Sequence, residues 1–318
     1  KVIGYEKSVW SFFSNYREQI ISVFEKSSLP KNELTVFIAL LLGQQQDISP
    51  DILKDYQYAG AVHILSVSGL HVGFILGFIN LLLKPIPNSR KGNFSKLAII
   101  LLSLWAFAIL AGLSPSVVRS VTMFSFLAIG NNIRRTVNIY HTLLVSMFLI
   151  LLVNPSFIHD VGFQLSYLAL FFIIWVQPLY DRIWEPKNRV LKYFWGITAM
   201  STSAQIGAMP LSIFYFHQFP GLFFVTNLLI LPLLGVIMAI GVIALLFAFF
   251  GFIPLLISKP LEWTIWLLNY IIHWVASFED FIIQNISFSE QMLWASYLVI
   301  IGWILWLKKP TFYRLSFG

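Results

Sequence analysis

Apolar residues in this chain run in long blocks with short polar breaks between them. A helix needs roughly 20 apolar residues to cross about 30 Å of hydrocarbon. Nine stretches approach that length, at about 61–83, 97–113, 116–131, 137–153, 161–180, 194–216, 222–250, 261–277 and 291–307. The second and third are short and joined by a tight Leu113-Ser114-Pro115-Ser116 turn. The seventh is too long for one straight helix and holds Pro232 and Gly235, which predicts a half-helix followed by a span. The pattern therefore predicts an all-α fold, a polytopic transmembrane helix bundle of about nine spans.

Residues 1–60 differ in character. Val9, Phe13, Tyr16, Ile20 and Phe24 recur at steps of three and four, and Lys7, Arg17, Glu18, Glu25 and Lys26 fill the remainder. That is an amphipathic helix, suited either to the bilayer interface or to lying on the rest of the protein. A second helix is expected near 33–42, ending at Gly43. A third is expected near 51–59, with Ser49 as its cap and Pro50 in its first turn. The layout is then an interfacial, extracytoplasmic helical preface over 1–60, a membrane domain over 61–307 and a basic cytoplasmic tail over 308–318.

Composition removes the soluble alternatives. Of 318 residues, 58% are hydrophobic and 11% charged, against roughly 45–50% and 25% in soluble domains. The mean hydropathy is +0.78. With no cysteine, disulfides, thiolate metal sites and thiol nucleophiles are excluded. The chain opens at Lys1 rather than Met, which points to a segment of a longer protein with any targeting signal upstream. The net charge of +7 would suggest nucleic acid in a soluble protein, whereas in a membrane protein cytoplasmic loops collect Lys and Arg. The basic residues do alternate: Lys84, Arg90, Lys91 and Lys96, then none; Arg134 and Arg135, then none; Arg182, Lys187, Arg189 and Lys192, then none; Lys259, then none; finally Lys308, Lys309 and Arg314. This places the basic loops and the C-terminus in the cytoplasm, with residues 1–60 outside.

Polar groups inside spans are costly and so mark function. In the first span Ser66, Gly69, Gly73, Gly77 and Asn80 share one helical face, a groove for close helix approach. Ser68 and His71 point nearly the opposite way, and reach that seam only if the helix breaks. Ser and His are also the types of an activated nucleophile and its base, although no acid sits nearby to orient the pair. Arg119, the one Arg inside a span, either meets a carbonyl near the membrane surface or lines an aqueous path for an anion such as phosphate. Gln164, Ser166, Gln205 and Asn227 are further polar candidates on later spans. The six histidines have no metal-ligand spacing. No Gly-rich phosphate loop is present, so neither metal nor cofactor is expected.

Four segments carry a resemblance: His63-Ile64-Leu65-Ser66-Val67-Ser68-Gly69-Leu70-His71-Val72-Gly73; Gly112-Leu113-Ser114-Pro115-Ser116-Val117-Val118-Arg119; Asp160-Val161-Gly162-Phe163-Gln164-Leu165-Ser166-Tyr167; and Phe216-His217-Gln218-Phe219-Pro220 followed by Thr226-Asn227-Leu228 and Pro232. In order and spacing they resemble the membrane domain of the ComEC competence proteins, over about 39–305. The resemblance implies a channel that passes single-stranded DNA across the bacterial cytoplasmic (inner) membrane during natural transformation. By the same analogy its partners are a cytoplasmic DNA translocase ATPase and a surface DNA receptor, beside the lipid bilayer and a possible second copy of the chain. Many members also carry an oligonucleotide-binding-like domain and a metallo-β-lactamase-like domain. Neither lies in these 318 residues, and no enzymatic activity is expected of them. Two other readings stay open on the residues alone: a secondary transporter of a small or lipid-linked solute, and an intramembrane hydrolase using Ser68 and His71.

Overall fold

The computed structural model describes residues 9–87, 89–132 and 138–308. Lys7, Arg134, Arg135 and the tail beyond Lys308 lie outside them. Three helices form the preface: α1 (Val9–Glu25), α2 (Lys31–Leu42) and α3 (Pro50–Tyr58). Gly43 ends α2 in the left-handed region at φ 72°, returning its N–H to the Ala39 carbonyl. Ser49 accepts the Ile52 N–H at 3.4 Å, and Pro50 opens α3.

Ten further helices follow: α4 (Val62–Leu65), α5 (Gly69–Leu82), α6 (Arg90–Leu110), α7 (Pro115–Asn132), α8 (Ile139–Val153), α9 (Val161–Ile183), α10 (Arg189–Phe216), α11 (Phe223–Phe249), α12 (Leu255–Ala276) and α13 (Glu290–Lys308). Among the described residues the extended structure is one short antiparallel contact between β1 (Phe219–Pro220) and β2 (Ile282–Ile283). The fold is all-α. Among the described residues α6, α9, α11 and α13 are long and apolar enough to cross a membrane, and α5 and α8 are shorter apolar helices.

Two expectations about continuity are overturned. The first stretch, read as one span over 61–83, is two helices with an extended link at Ser66-Val67-Ser68 between them. The seventh, expected to be a half-helix before a span, is one continuous α11 through Pro232. A proline removes one ladder bond, which neighbouring helices can absorb. The link at 66–68 is instead held open by contacts described below.

The largest core joins the preface to the C-terminal helices. Phe24 of α1 is fully buried and meets Phe37 of α2 edge-on at 5.0 Å between ring centres. Leu40 and Leu41 of α2 and Ile230, Ile237, Ile265 and Leu268 of α11 and α12 complete it. Of the two places open to the amphipathic helix, Ile20 and Phe24 take the one against protein. The Tyr56 hydroxyl donates to Asn269 Oδ1 at 3.0 Å, fixing α3 to α12, and burial pushes that phenol well above its usual range.

A candidate polar path inside a ring of helices

Five helices contact one another in a closed circuit: α5 against α7, α7 against α9, α9 against α10, α10 against α11, and α11 back against α5. Pairs that would cross the circuit, such as α5 with α10 or α7 with α11, make no comparable interface among the described residues. Each helix of the circuit carries at least one polar residue singled out above.

The broken first segment is the best-defined part. Ser68 is the N-cap of α5, and its backbone N–H donates to Nδ1 of His71 at 3.1 Å. The Ser68 hydroxyl lies 3.0 Å from the same nitrogen. His71 thus takes the place Glu or Gln holds in a capping box, three residues into the helix. Because a backbone N–H only donates, Nδ1 is the acceptor and a neutral ring carries its proton on Nε2. That Nε2 is buried with no protein partner, and His71 is 0% exposed.

The link is pinned from α7. Ser116 Oγ donates to the Val67 carbonyl at 2.8 Å. The turn that delivers Ser116 needs two successive positive φ angles, 81° at Gly112 and 50° at Leu113. Leu in that region carries strain that the surroundings must hold. A Cβ on Gly69 would lie 3.2 Å from Ser120 Oγ, and one on Gly73 would lie 3.5 Å from the Phe124 ring. Both glycines therefore face α7. Gly77 has nothing within 4 Å of such a Cβ, and Ser66 lies in the extended link, so neither joins that seam. Ser66 Oγ donates instead to the His63 carbonyl at 3.0 Å.

Arg119 lies one turn further along α7 from Ser116 and is 7% exposed. Its guanidinium donates to the Ser166 carbonyl of α9 at 2.9 Å and weakly to Ser120 Oγ at 3.5 Å. It also sits over the Tyr167 ring at 5.6 Å, while Tyr167 Oη is 3.0 Å from Ser146 Oγ of α8. Nε has no partner. Of the two sequence alternatives, the carbonyl contact is present. Yet a carbonyl, a hydroxyl and a π face are all neutral, and among the described residues no carboxylate pairs with the charge. Buried charges ordinarily find a counter-ion, and this cation remains electrostatically available to an anion. Tyr167 was not singled out from sequence. Its place one residue after Ser166, in the Gln-Leu-Ser-Tyr segment, was the available signal.

The other candidates divide. Gln164 is spent on a bridge at the ring's edge: Nε2 donates to the Ile158 carbonyl at 2.7 Å and Oε1 accepts the Tyr215 hydroxyl at 2.9 Å. Ser166 contributes its backbone carbonyl to Arg119. Asn227 on α11 has a buried Oδ1 without a partner, as does the Ser203 hydroxyl on α10 and the Ser125 hydroxyl on α7. Gln205 is half-buried on α10. Orphaned buried polar atoms are scarce in folded proteins, and among the described residues six of them, on His71, Arg119, Ser125, Trp195, Ser203 and Asn227, lie on four helices of one circuit.

The family model described as Competence protein matches residues 40–310. The chain belongs to the ComEC family of competence proteins. ComE operon protein 3 of Bacillus subtilis (strain 168) is 29% identical over 217 residues, covering 68% of this chain and 26% of that protein. An uncharacterized protein of Aquifex aeolicus (strain VF5) is 25% identical over 299 residues, covering 91% of this chain and 64% of that protein. The chain thus spans about a quarter of the first competence relative and less than two thirds of the second. No solved structure matches. The matched range takes in the whole helix circuit, so the ring and its polar residues belong to the part shared with the family. Family membership and the four long apolar helices support placement in a membrane.

Proposed function

We propose that this chain forms the membrane path through which single-stranded DNA crosses the bacterial cytoplasmic membrane. The observation that carries the reading is the closed circuit of five helices, with an uncompensated Arg119 and unpartnered polar atoms on its members. A strand needs a modest positive potential and polar or stacking surfaces that do not hold it too tightly. Arg119 supplies the first, and His71, Ser203, Asn227 and Tyr167 supply the second. Since His71 is fully buried and Arg119 nearly so, passage requires the circuit to loosen. The broken α4–α5 segment is the natural place, because its link is held by few bonds.

The topology that suits this reading has the nine long stretches as spans, α1–α3 on the outer face and the basic loops in the cytoplasm. The absence of cysteine makes single-cysteine labelling from each side a clean check of it. A DNA translocase ATPase inside and a DNA receptor outside are the partners it calls for. A hydrolytic reading finds its support in the 3.0 Å contact of Ser68 Oγ with His71 Nδ1. We assign that pair to capping, because the same lone pair receives the backbone N–H and the far ring nitrogen meets no carboxylate.

The test is uptake of labelled DNA by a transformable strain whose own copy is replaced by the Arg119→Ala variant in the full-length protein. The expected result is DNA bound outside with internalisation reduced by at least about tenfold, equivalent to about 1.4 kcal/mol of lost stabilisation. Normal internalisation in a strain lacking the protein altogether would overturn the proposal.

A further inference from the structure

A second polar feature lies away from the ring's interior, between α5, α6 and α7. It is a recess of about 240 Å³ whose lining combines apolar Leu76, Ile100, Leu127 and Ala128 with polar Asn80, Asn93, Asn131, Asn132 and Lys96. One edge is tied by Asn132 Nδ2 donating to the Asn93 carbonyl at 2.8 Å. Next to Leu76 along α5, an added Cβ at Gly77 would meet nothing within 4 Å. Its surroundings have two characters. Lys84, Arg90 and Lys91 are exposed at the same end of these helices. Leu81, Leu82 and Phe94 are large apolar residues left 54%, 58% and 71% exposed.

We infer that this recess is a binding site for the headgroup of an anionic glycerophospholipid in the leaflet on the basic side of the protein. The three zones of such a lipid match the three zones here. Lys96, with the basic residues around it, meets the phosphodiester. The carboxamides both donate and accept, as glycerol hydroxyls and ester carbonyls require. Leu81, Leu82 and Phe94 lie against acyl chains, which accounts for their exposure. A nucleic-acid phosphate would use the cation but would leave the apolar rim in water, so the lipid is the occupant the surface favours. The site holds whatever crosses the ring, since none of its residues belongs to the polar path.

The purified chain, reconstituted in nanodiscs containing equal parts of phosphatidylglycerol and phosphatidylcholine, tests this by native mass spectrometry of retained lipid. The wild type is expected to retain phosphatidylglycerol preferentially, and Lys96→Ala to lose that preference by at least fivefold. Ala128→Phe keeps every polar group but fills the recess from its apolar lining, and is expected to do the same. It also serves if Lys96→Ala does not fold. Equal retention of the two lipids by the wild type, or undiminished phosphatidylglycerol on a folded Ala128→Phe protein, would overturn the site. Displacement of the lipid by a short oligonucleotide at equimolar concentration would also overturn it, in favour of nucleic acid.

Discussion

Two stretches of this protein invite opposite forecasts, and each folds as the other was expected to. The α4–α5 stretch reads as one apolar span and contains no proline, yet it breaks at Ser66–Ser68. Helix α11 contains Pro232 and Gly235, yet it runs unbroken for 27 residues. The difference shows that a helix in a bundle is interrupted by what its neighbours offer more than by its own breakers. At the link, Ser116 takes the Val67 carbonyl, His71 takes the Ser68 N–H, and Gly69 admits Ser120. Along α11 nothing competes for the backbone in that way. Its glycines instead admit side chains: Gly235 lies against Phe74 of α5, and Gly241 against Phe37 of α2. The broken stretch is polar where it breaks, while the continuous one belongs to the aliphatic core.

The contrast can be broken most severely at Gly69. Gly69→Val drives a branched side chain into Ser120 and should separate the first turn of α5 from α7, at about 3 kcal/mol. Thermal unfolding in detergent would show it, and DNA uptake should fall with it; unchanged stability would mean that the close approach is not required. Ser116→Ala comes next. It leaves the Val67 carbonyl unpaired in a buried setting, at a cost of about 2 kcal/mol, and should speed hydrogen exchange around residues 66–68 selectively. Exchange spread evenly over α5 would argue against a pinned link. His71→Leu should cost about 1 kcal/mol by deleting the cap, and His71→Gln should restore most of it, since Gln is an ordinary capping-box partner. If Gln rescues stability but not uptake, the buried Nε2 has a role beyond capping. Least of all, Pro232→Leu should leave stability unchanged or raise it by up to about 1 kcal/mol through one regained ladder bond. A loss on that substitution would show that the proline shapes α11 after all.

Much of the architecture was legible because apolar run length and cap residues act locally. The boundaries of α2 and α3 followed from Gly43, Ser49 and Pro50, and the later helices coincide closely with the long apolar stretches. The candidate site was legible residue by residue but not in its relations. Arg119 could be named, and its two fates could be stated. That its partners are a carbonyl on α9 and the Tyr167 ring depends on residues 47 and 48 positions away, which no periodicity reports. Gln164 looked interior because it sits in an apolar stretch. Its amide is instead consumed at the ring's edge, where the turn at Ile158 and the end of α10 happen to meet.

Hydrophobic run length pointed by itself to an all-helical membrane protein, since it reflects a cost borne by single residues against solvent or lipid, and four short segments pointed to the competence family that the family model shows. Where the first span breaks, which helices close into a circuit and which polar atoms are left without partners were decided only by the tertiary structure. Those outcomes depend on competition between distant groups for the same backbone donors and acceptors, and that competition exists only once the helices are side by side.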